Sequence, residues 1–320
     1  MSLRQRLASA SPSKETVLTV GVFDGIHKGH CHLLRRLVQL AGASYQPAVL
    51  TFTNHPVTVL RPGARVGYLT TPEQKVRLLK EQGIDLVVAV EFSLELSRIS
   101  AHDFTAMLVE LLRMRGLVLG PDTALGHNRE GDLDFLRRRG AELGFWVEAV
   151  EPLAVGGITV KSRRIRDAIS QGDIGAGAKL LGRKFSLSGP VVLGDRRGRE
   201  LGFPTANLSI ASEMLLPGDG IYATWAIIDG VRHPSATSVG VRPTFGLTER
   251  LVEVYVIDFD ADLYGKQLCV EFVRKLRDQE AFPGVAELVE QIHRDVADSR
   301  QALASETPHL SEEDRGPSLA

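Results

Sequence analysis

The stretch that decides the fold reads Gly21-Val22-Phe23-Asp24-Gly25-Ile26-His27-Lys28-Gly29-His30. The apolar run Val17–Val20 before it predicts a buried strand, and Leu33–Leu40 after it has apolar residues at helical spacing. At such a strand-to-helix junction, free backbone N–H groups and the positive end of the helix dipole favour a phosphate. The glycines let the backbone approach a ligand closely, and His27 and His30 can donate to phosphate oxygens. The stretch therefore predicts a nucleotide site.

Strand-like and helix-like segments alternate over residues 17–182. Residues 84–90 and 116–120 are short apolar runs that predict buried strands, and Thr71 followed by Pro72 is typical of a helix start. Such alternation predicts a parallel sheet that is covered by helices on both faces. Ligands on such sheets bind at the carboxyl ends of the strands, which is where the histidine pair stands.

The pattern changes after Phe185, where short alternating segments follow one another without helices between them. These segments are Ser188–Leu193, Tyr222–Ile228, Pro234–Val239, Leu251–Phe259 and Gln267–Phe272. Turn signals such as Arg242-Pro243 separate them, so the sequence predicts an antiparallel β-barrel. One amphipathic helix, about Gly284–Ala304, is expected to close the domain.

Composition is that of a globular protein with a substantial core, since 43% of the 320 residues are hydrophobic and 24% are charged. The net charge of −1 gives no indication of nucleic acid or an anionic membrane as partner. No apolar run is long enough to span a bilayer, and the N-terminus lacks a secretory pattern, so we expect a cytoplasmic protein. The predicted domains are residues 1–183 and 184–304, followed by a polar tail at 305–320 that we expect to be disordered.

A second motif lies in the barrel half, between Gly194 and Asn207. Gly194, Gly198 and Gly202 would let backbone N–H groups line a phosphate, and Thr205 and Asn207 offer the oxygen ligands that suit Mg²⁺. The alternative is a barrel turn in which the Thr and the Asn only cap a helix, because both residue types are common in turns.

The chain resembles the prokaryotic bifunctional riboflavin kinase/FMN adenylyltransferases, also called FAD synthetases, over about Val17–Arg300. The motifs that carry this resemblance follow one another in the family's order. They are Gly21–His30, Thr51-Phe52 with His55-Pro56, Tyr68–Lys75, Leu180–Arg183, Phe185–Gly189, Gly202–Asn207, Gly240–Phe245, Asp258-Phe259 and Leu263–Gly265. The resemblance implies an α/β N-terminal domain of the HxGH nucleotidyltransferase type, with a Rossmann-like parallel sheet. It also implies a C-terminal antiparallel β-barrel riboflavin kinase domain with a closing helix.

Two reactions on small molecules are implied by this resemblance. The C-terminal domain would phosphorylate riboflavin to FMN, and the N-terminal domain would adenylylate FMN to FAD with release of pyrophosphate. ATP is the co-substrate of both steps and Mg²⁺ the implied cofactor. Flavins and nucleotides are the expected partners, with no nucleic acid and no membrane, and the oligomeric state stays open.

In the kinase half, the resemblance places Mg-ATP on the glycine loop and on Thr205 and Asn207, and it makes Glu253 the catalytic base. An acid among apolar strand residues would be partly desolvated, which suits a base. An outward-facing strand glutamate fits the alternation equally well. Arg277 and Phe282 resemble family positions near the flavin.

In the N-terminal half, the FMN phosphate would attack the α-phosphorus of ATP, while His27 and His30 stabilise charge on the triphosphate. His55 resembles a flavin-binding position, although a turn residue before Pro56 is an equal alternative. The remaining residues assigned to the nucleotide are Gly21, Asp24, Gly25, Gly29, Asp122, Gly126, Ser162 and Arg166.

Two stretches depart from the family. Its Gly-x-Asp/Asn-Phe-x-Phe-Gly appears here as Gly120-Pro121-Asp122-Thr123-Ala124-Leu125-Gly126, without either aromatic residue. Its Ile-Ser-Ser-Thr-x-x-Arg appears as Val160-Lys161-Ser162-Arg163-Arg164-Ile165-Arg166, with two cations in place of hydroxyls. Three functions therefore stay open: the bifunctional enzyme, a kinase whose first domain has lost adenylyl transfer or uses another nucleotide such as CTP, and a non-enzymatic flavin-binding regulator.

Overall fold

The computed structural model describes residues 2–194, 198, 201–241 and 250–306. The described chain divides into two compact units. The first holds the residues up to Asp167 together with Lys179–Arg183 and Glu213–Leu215. The second holds Ala168–Ala178, Lys184–Ser212 and the residues from Leu216 on. The predicted boundaries at 183/184 and 304/305 stay predictions, and most of the predicted tail and the Arg242-Pro243 turn lie outside the described residues.

The first unit is built on a five-stranded parallel sheet, as the alternation predicts. Its strands are β1 (Thr16–Gly21), β2 (Gln46–Phe52), β3 (Leu86–Val90), β4 (Met114–Leu119) and β5 (Trp146–Ala149). The strand order is β3-β2-β1-β4-β5, and every neighbouring pair is parallel. A small antiparallel pair, β6 (Ala154–Val155) and β7 (Ile158–Thr159), follows the sheet in the chain.

Helices cover both faces of this sheet. In chain order the first seven helices are α1 (Leu3–Ser9), α2 (Lys28–Ala41), α3 (Pro56–Leu60), α4 (Pro72–Glu81), α5 (Leu94–Ser97), α6 (Ala101–Leu112) and α7 (Leu133–Leu143), with a 3-10 turn at His127–Arg129. Two more helices, α8 (Ser162–Ser170) and α9 (Ile174–Leu181), follow in the chain, and Ala168–Ala178 belongs to the second unit. Alternate residues of β1 enter opposite cores: Leu18 packs in the cluster that includes Leu7 and Leu108, and Val17 packs with Leu34 and Leu79. Burial on both faces explains why the strands read as nearly continuous apolar runs.

The strand order reverses between β1 and β4. The chain leaves β1 toward β2 on one side and leaves β4 toward β5 on the other, so their loops diverge at the carboxyl edge of the sheet. This is the switch point at which open α/β sheets bind ligands. The Gly21–His30 stretch follows β1 and the Gly120–Gly126 stretch follows β4, so both border this crevice.

The second unit is a closed barrel of six strands in the order β10-β11-β12-β9-β8-β13. The strands are β8 (Phe185–Val192), β9 (Ala206–Leu208), β10 (Gly220–Ile228), β11 (Val231–Val241), β12 (Arg250–Val256) and β13 (Gln267–Arg277). Every pair around the barrel is antiparallel. Helix α10 (Val285–Ala304) packs on the outer side, with Ala302 and Leu303 against Ala223. The predicted barrel and closing helix are thus confirmed.

Short or irregular elements are the ones that the sequence pattern missed. Helix α1 buries Leu7 in the first core although its sequence is mostly polar. Strand β9 has only three residues. Among the described residues, no helix combines the length and apolarity needed to cross a membrane.

Candidate functional site

The loop after β1 turns sharply because three of its residues have left-handed backbone. Phe23, Gly25 and Ile26 have φ angles of 49°, 85° and 36°. A Cβ on Gly25 would stand 2.8 Å from Cδ1 of Leu69, so glycine is required there for space as well as for φ. Left-handed backbone at a buried β-branched residue such as Ile26 is strained, and such strain concentrates at functional sites.

The Arg183 side chain stabilises this turn through two hydrogen bonds. Its guanidinium donates to the carbonyl oxygens of Gly25 at 2.6 Å and of Ile26 at 3.0 Å. Two consecutive peptide groups of the loop are therefore fixed by one side chain that lies more than 150 residues further along the chain. We infer that Arg183 positions the loop, a role that the sequence motif Leu180–Arg183 did not reveal.

The two histidines of the loop cap helix α2. The backbone N–H of His30 donates to Nδ1 of His27 at 3.1 Å, and the backbone N–H of His27 donates to Nδ1 of His30 at 3.4 Å. This is a reciprocal capping box made by histidines in place of the usual Ser/Thr and Glu/Gln. The two rings stack with their centroids 3.6 Å apart.

The capping bonds fix the protonation of both rings. Because each Nδ1 accepts a backbone N–H, the ring proton of each neutral imidazole must sit on Nε2. Burial lowers the pKa of His27 to about 4 and holds that of His30 well below its ordinary value. The start of α2 therefore presents two neutral Nε2–H donors, next to backbone N–H groups at the positive end of the helix dipole.

Asp24 joins three separate segments of the first unit. Its side chain is only 1% exposed, and its carboxylate accepts from the backbone N–H groups of Leu69 and Thr70 at 3.0–3.3 Å and from the Thr70 hydroxyl at 3.3 Å. It also pairs with the Arg166 guanidinium at 2.7 Å. The carboxylate is therefore largely used inside the protein, so its contacts connect the loop after β1 to residues 69–70 and to α8.

The residues at the start of α8 form two groups, one that makes hydrogen bonds inside the protein and one that is exposed. Ser162 donates to the Asp24 carbonyl oxygen at 3.1 Å, and Arg166 donates to the Asp24 carboxylate and, at 2.9 Å, to the Gly67 carbonyl oxygen. Lys161 and Arg163, the two residues that depart from the family, are exposed. The matching residues thus hold the fold together, and the departing residues face outward.

The loop after β4 contains the other departure. Leu125 is buried in the core of the first unit, Thr123 is half-buried, and Asp122 is exposed with its carboxylate 3.8 Å from the Lys161 ammonium. Gly126 has a φ of 75°, and a Cβ there would stand 2.3 Å from the Ala101 nitrogen. Gly126 therefore owes its identity to the close approach of α6.

His55 and Lys75 lie near the end of β2. His55 caps α3, with its Nδ1 accepting from Val57 N–H, and its own N–H donates to the Tyr68 hydroxyl at 2.6 Å. Lys75, in the first turn of α4, is 4% exposed and donates to the Phe52 carbonyl oxygen at 2.7 Å. Burial lowers the pKa of both side chains, and the Asp24 carboxylate partly offsets the shift in each.

Tyr68 is itself held by a segment that belongs to the barrel half in sequence. Its N–H donates to the Glu213 carbonyl oxygen at 2.8 Å, and its carbonyl oxygen accepts from Leu215 N–H at 2.9 Å. Glu213–Leu215 lies in the first unit, so a short stretch between β9 and β10 supports the surroundings of His55. No local pattern in the sequence indicates this contact.

In the second unit, Asn207 and Glu253 stand opposite each other on β9 and β12. Val252 and Val254 point into the barrel and are buried, so Glu253 lies on the outer face and is half-buried. Ser238 of β11 stands opposite Glu253 on the other side and shares this face. The sequence left open whether Glu253 is the catalytic base or only an outward-facing strand residue. In the structure it lies on the outer face of the barrel beside Asn207, a position that is compatible with both.

The glycines of the second motif lie close to the same side chains. A Cβ on Gly194 would stand 2.2 Å from Nδ2 of Asn207, and one on Gly198 would stand 3.3 Å from the Thr205 hydroxyl. Gly202 has a φ of 85°, which favours glycine in the turn before Thr205. Residues 195–197 and 199–200 of this motif lie outside the described residues.

A cavity of about 280 Å³ opens beside Thr205. Its lining includes Thr205, Ala206, Phe259, Leu263 and Tyr264. The apolar and aromatic groups among them suit a planar ring, and Thr205 connects the cavity to the face that carries Asn207.

Arg277 and Phe282 lie together at the start of the closing segment. The Arg277 guanidinium forms two bonds with Asp295 of α10, at 2.8 and 2.7 Å, and stands 5.7 Å from the centre of the Phe282 ring. The Arg277–Asp295 ion pair is partly buried and connects β13 to α10. Any flavin contact of Arg277 must use the guanidinium edge that these bonds leave open.

Comparison with known proteins places both halves. Residues 9–164 match the FAD synthetase family model, and residues 181–303 match the riboflavin kinase model. A bifunctional riboflavin kinase/FMN adenylyltransferase of Escherichia coli strain K12 is 33% identical over 94% of this chain and 96% of its own. Its counterpart from Pseudomonas fluorescens is 36% identical over 92% and 94%.

A solved structure described as a macrolide-efflux protein from Streptococcus pneumoniae has a TM-score of 0.85 and is 30% identical, covering 92% of this chain and 96% of that one. Relatives above 30% identity that align along nearly the whole length of both chains establish a shared family. The chain therefore belongs to the bifunctional riboflavin kinase/FMN adenylyltransferase family.

Proposed function

We propose that this chain phosphorylates riboflavin to FMN in its second unit and converts FMN to FAD in its first unit, with ATP as the donor in both steps. The observation that carries the proposal is that a separate family model matches each half of the chain, and each unit offers its own candidate phosphate site. In the first unit this site is the histidine-capped start of α2. In the second it is the face that carries Asn207 and Glu253.

In the kinase step, Glu253 accepts the proton of the riboflavin 5′-hydroxyl. The hydroxyl oxygen forms a bond with the γ-phosphorus of ATP, the bond from that phosphorus to the bridging oxygen breaks, and ADP leaves with the electron pair. The cavity beside Thr205 receives the nucleoside of ATP, so that the triphosphate reaches the Asn207 face. Arg277 and Phe282 border the end of the site that receives the flavin.

Thr205 and Asn207 fit Mg²⁺ by the chemistry of their oxygen atoms. Mg²⁺ in phosphoryl-transfer sites keeps few protein ligands and completes its shell with phosphate oxygens and water. Asn207 is buried, and Gly194 comes close enough to limit where its amide can turn. When bound, the ion would neutralise charge on the transferring phosphates, while the chain's own groups orient the two substrates.

In the adenylyl step, an oxygen of the FMN phosphate forms a bond with the α-phosphorus of ATP. The bond from that phosphorus to the oxygen bridging to the β-phosphorus breaks, and pyrophosphate leaves with the electron pair. The Nε2–H groups of His27 and His30 donate to phosphate oxygens on which charge develops. Asp24, Ser162 and Arg166 hold the loop that aims these donors.

The departures from the family at Lys161 and Arg163 do not decide whether the first unit uses ATP or another triphosphate such as CTP. Both are exposed, Lys161 just before α8 and Arg163 in its first turn, and Lys161 faces Asp122 of the loop after β4. Two outward cations at the switch point favour additional contacts with phosphate. We propose ATP as the nucleotide of the first unit because Lys161 and Arg163 leave the contacts of Asp24 intact.

Product analysis tests the proposal. The purified chain is incubated with riboflavin, Mg²⁺ and either ATP or CTP, and the flavins are separated by chromatography. FMN and FAD from ATP support the bifunctional reaction, and FMN alone refutes it. A flavin–cytidine product would show a different nucleotide choice, and no product at all would leave only a flavin-binding protein.

A further inference from the structure

Lys75 is a buried cation that neither reaction step has used. Its side chain is almost fully enclosed, and its ammonium makes one hydrogen bond, to the Phe52 carbonyl oxygen at the carboxyl end of β2. An ammonium has three N–H donors, so this bond leaves two. No carboxylate of the described residues lies within 4.0 Å of it, since the nearby Asp24 is paired with Arg166.

The position of Lys75 in its helix adds to the cost of burying it. It lies in the first turn of α4, where the positive end of the helix dipole disfavours a cation. Burial disfavours the charged form as well. A residue that only filled this space would be more stable as an apolar side chain, so the charge is retained for something other than the fold.

The groups around Lys75 leave the site with unbalanced positive charge. His27, His30 and His55 are neutral near pH 7 because burial lowers their pKa values, and Asp24 and Arg166 cancel each other. Lys75 and Arg183 remain as cations, and both act electrostatically on His30, while Lys75 also acts on His55. Lys75 is thus close enough to His30 and to His55 to lower the pKa of both, and it bonds to the carbonyl oxygen of Phe52, three residues before His55 in the chain.

We propose that Lys75 supplies the positive charge that holds the phosphate of FMN for attack on ATP. A phosphate monoester carries nearly two negative charges at pH 7 and is the group that must approach another anion in this step. A cation at the end of β2, beside His55, neutralises that group on the flavin side of the crevice. The inference rests on the proposed adenylyl transfer and names the residue that recognises its acceptor.

The test compares Lys75→Met and Lys75→Arg with the unaltered chain in FMN adenylylation. In Lys75→Met we expect the KM for FMN to rise at least about tenfold, because a charge-assisted bond is lost, while the KM for ATP changes little. Lys75→Arg keeps the charge and should recover part of the loss. Lys80→Met, an exposed lysine of the same helix, is the matched control.

Thermal unfolding separates this role from a structural one. If Lys75 serves the substrate, the Tm of Lys75→Met without ligand is equal to or higher than that of the unaltered chain. A lower Tm with an unchanged KM for FMN would overturn the inference, as would a rise in the KM for ATP alone. If the unaltered chain makes no FAD from FMN, the proposed function itself fails, which is a distinct result.

Discussion

At the residue scale, Asp24 shows how one buried carboxylate can organise a site. Leu69, Thr70 and Arg166 all reach it, and its own carbonyl oxygen accepts from Ser162. A carboxylate with this many donors is oriented in one way only. Asp24 therefore holds the loop that carries the proposed nucleotide site.

Asp24→Asn should lower the unfolding free energy of the first unit by about 3 kcal/mol, because it leaves the Arg166 charge buried and unpaired. The chain has two tryptophans, Trp146 in the first unit and Trp225 in the second. Urea unfolding followed by Trp146 fluorescence in a Trp225→Phe background measures the change. Glu110→Gln, which breaks an exposed pair with Arg4, should cost less than about 1 kcal/mol, and equal losses in both variants would contradict this account.

The histidine pair makes the stability of the first unit depend on pH. Burial lowers the folded pKa of His27 to about 4 and holds that of His30 well below the ordinary value of 6.5. Above pH 6.5 both folded and unfolded histidines are neutral, and below it the unfolded chain binds protons that the folded chain does not. The unfolding free energy should therefore fall as pH drops from 6.5 to 4, by up to about 1.4 kcal/mol per pH unit for each ring.

His27→Asn with His30→Gln keeps an Asn-x-x-Gln capping box but removes both titrating rings. Urea unfolding at several pH values should show a shallower decline in this double variant than in the unaltered chain. His102→Gln, at an exposed position, is the control. The same slope in the double variant and in the unaltered chain would show that the rings do not titrate in this range.

At the element scale, residues at the start of α8 that hold the fold together stand next to residues that we propose to influence nucleotide selectivity. Ser162 and Arg166 hold Asp24, whereas Lys161 and Arg163 face outward. We expect Lys161→Ser with Arg163→Thr to change the KM for ATP in FAD formation several-fold, because two cations near the triphosphate are lost.

The Tm of that double variant should stay within about 2 °C of the original, since exposed substitutions have small effects on stability. Steady-state kinetics with ATP and CTP measures the KM values, and thermal unfolding measures the Tm. An unchanged KM for both nucleotides would remove these residues from nucleotide selection.

Elements that depend on local signals were predictable, and those that depend on distant contacts were not. The strand at Val17–Val20, the cap at Thr71 and the barrel strands follow from apolar spacing and turn residues. Strand β9 is too short for any pattern. Leu7 gains its burial only when α1 packs on a sheet that forms much later in the chain.

The candidate site was predictable in place but not in detail. The sequence predicts a phosphate site at the start of α2, because glycines and histidines at a strand-to-helix junction are a local signal, and the structure brings both histidines together there. The reciprocal caps, the Asp24 contacts and Arg183 depend on side-chain geometry or on partners 45 to 158 residues away. Lys75 ends the Tyr68–Lys75 motif, but its burial was not predicted, since burial of a lysine cannot be seen in the spacing around it.

At the scale of the whole molecule, the described chain forms two compact units, each with one proposed site, and the units are not simple halves of the sequence. Glu213–Leu215 lies between barrel strands in the chain but contributes backbone bonds to Tyr68 in the first unit. Each site nevertheless draws its own chemical groups from one unit. Substitutions in one unit should therefore remove one reaction and leave the other.

The most direct test follows product formation in two variants of the full chain, Glu253→Gln and the His27→Asn/His30→Gln pair. With riboflavin and Mg-ATP, Glu253→Gln should form FMN at least about a hundredfold more slowly, yet convert added FMN to FAD at the original rate. The histidine variant should form FMN normally and FAD about a hundredfold more slowly. Loss of both products in either variant, or normal formation of FAD from riboflavin in both, would contradict the assignment of one reaction to each unit.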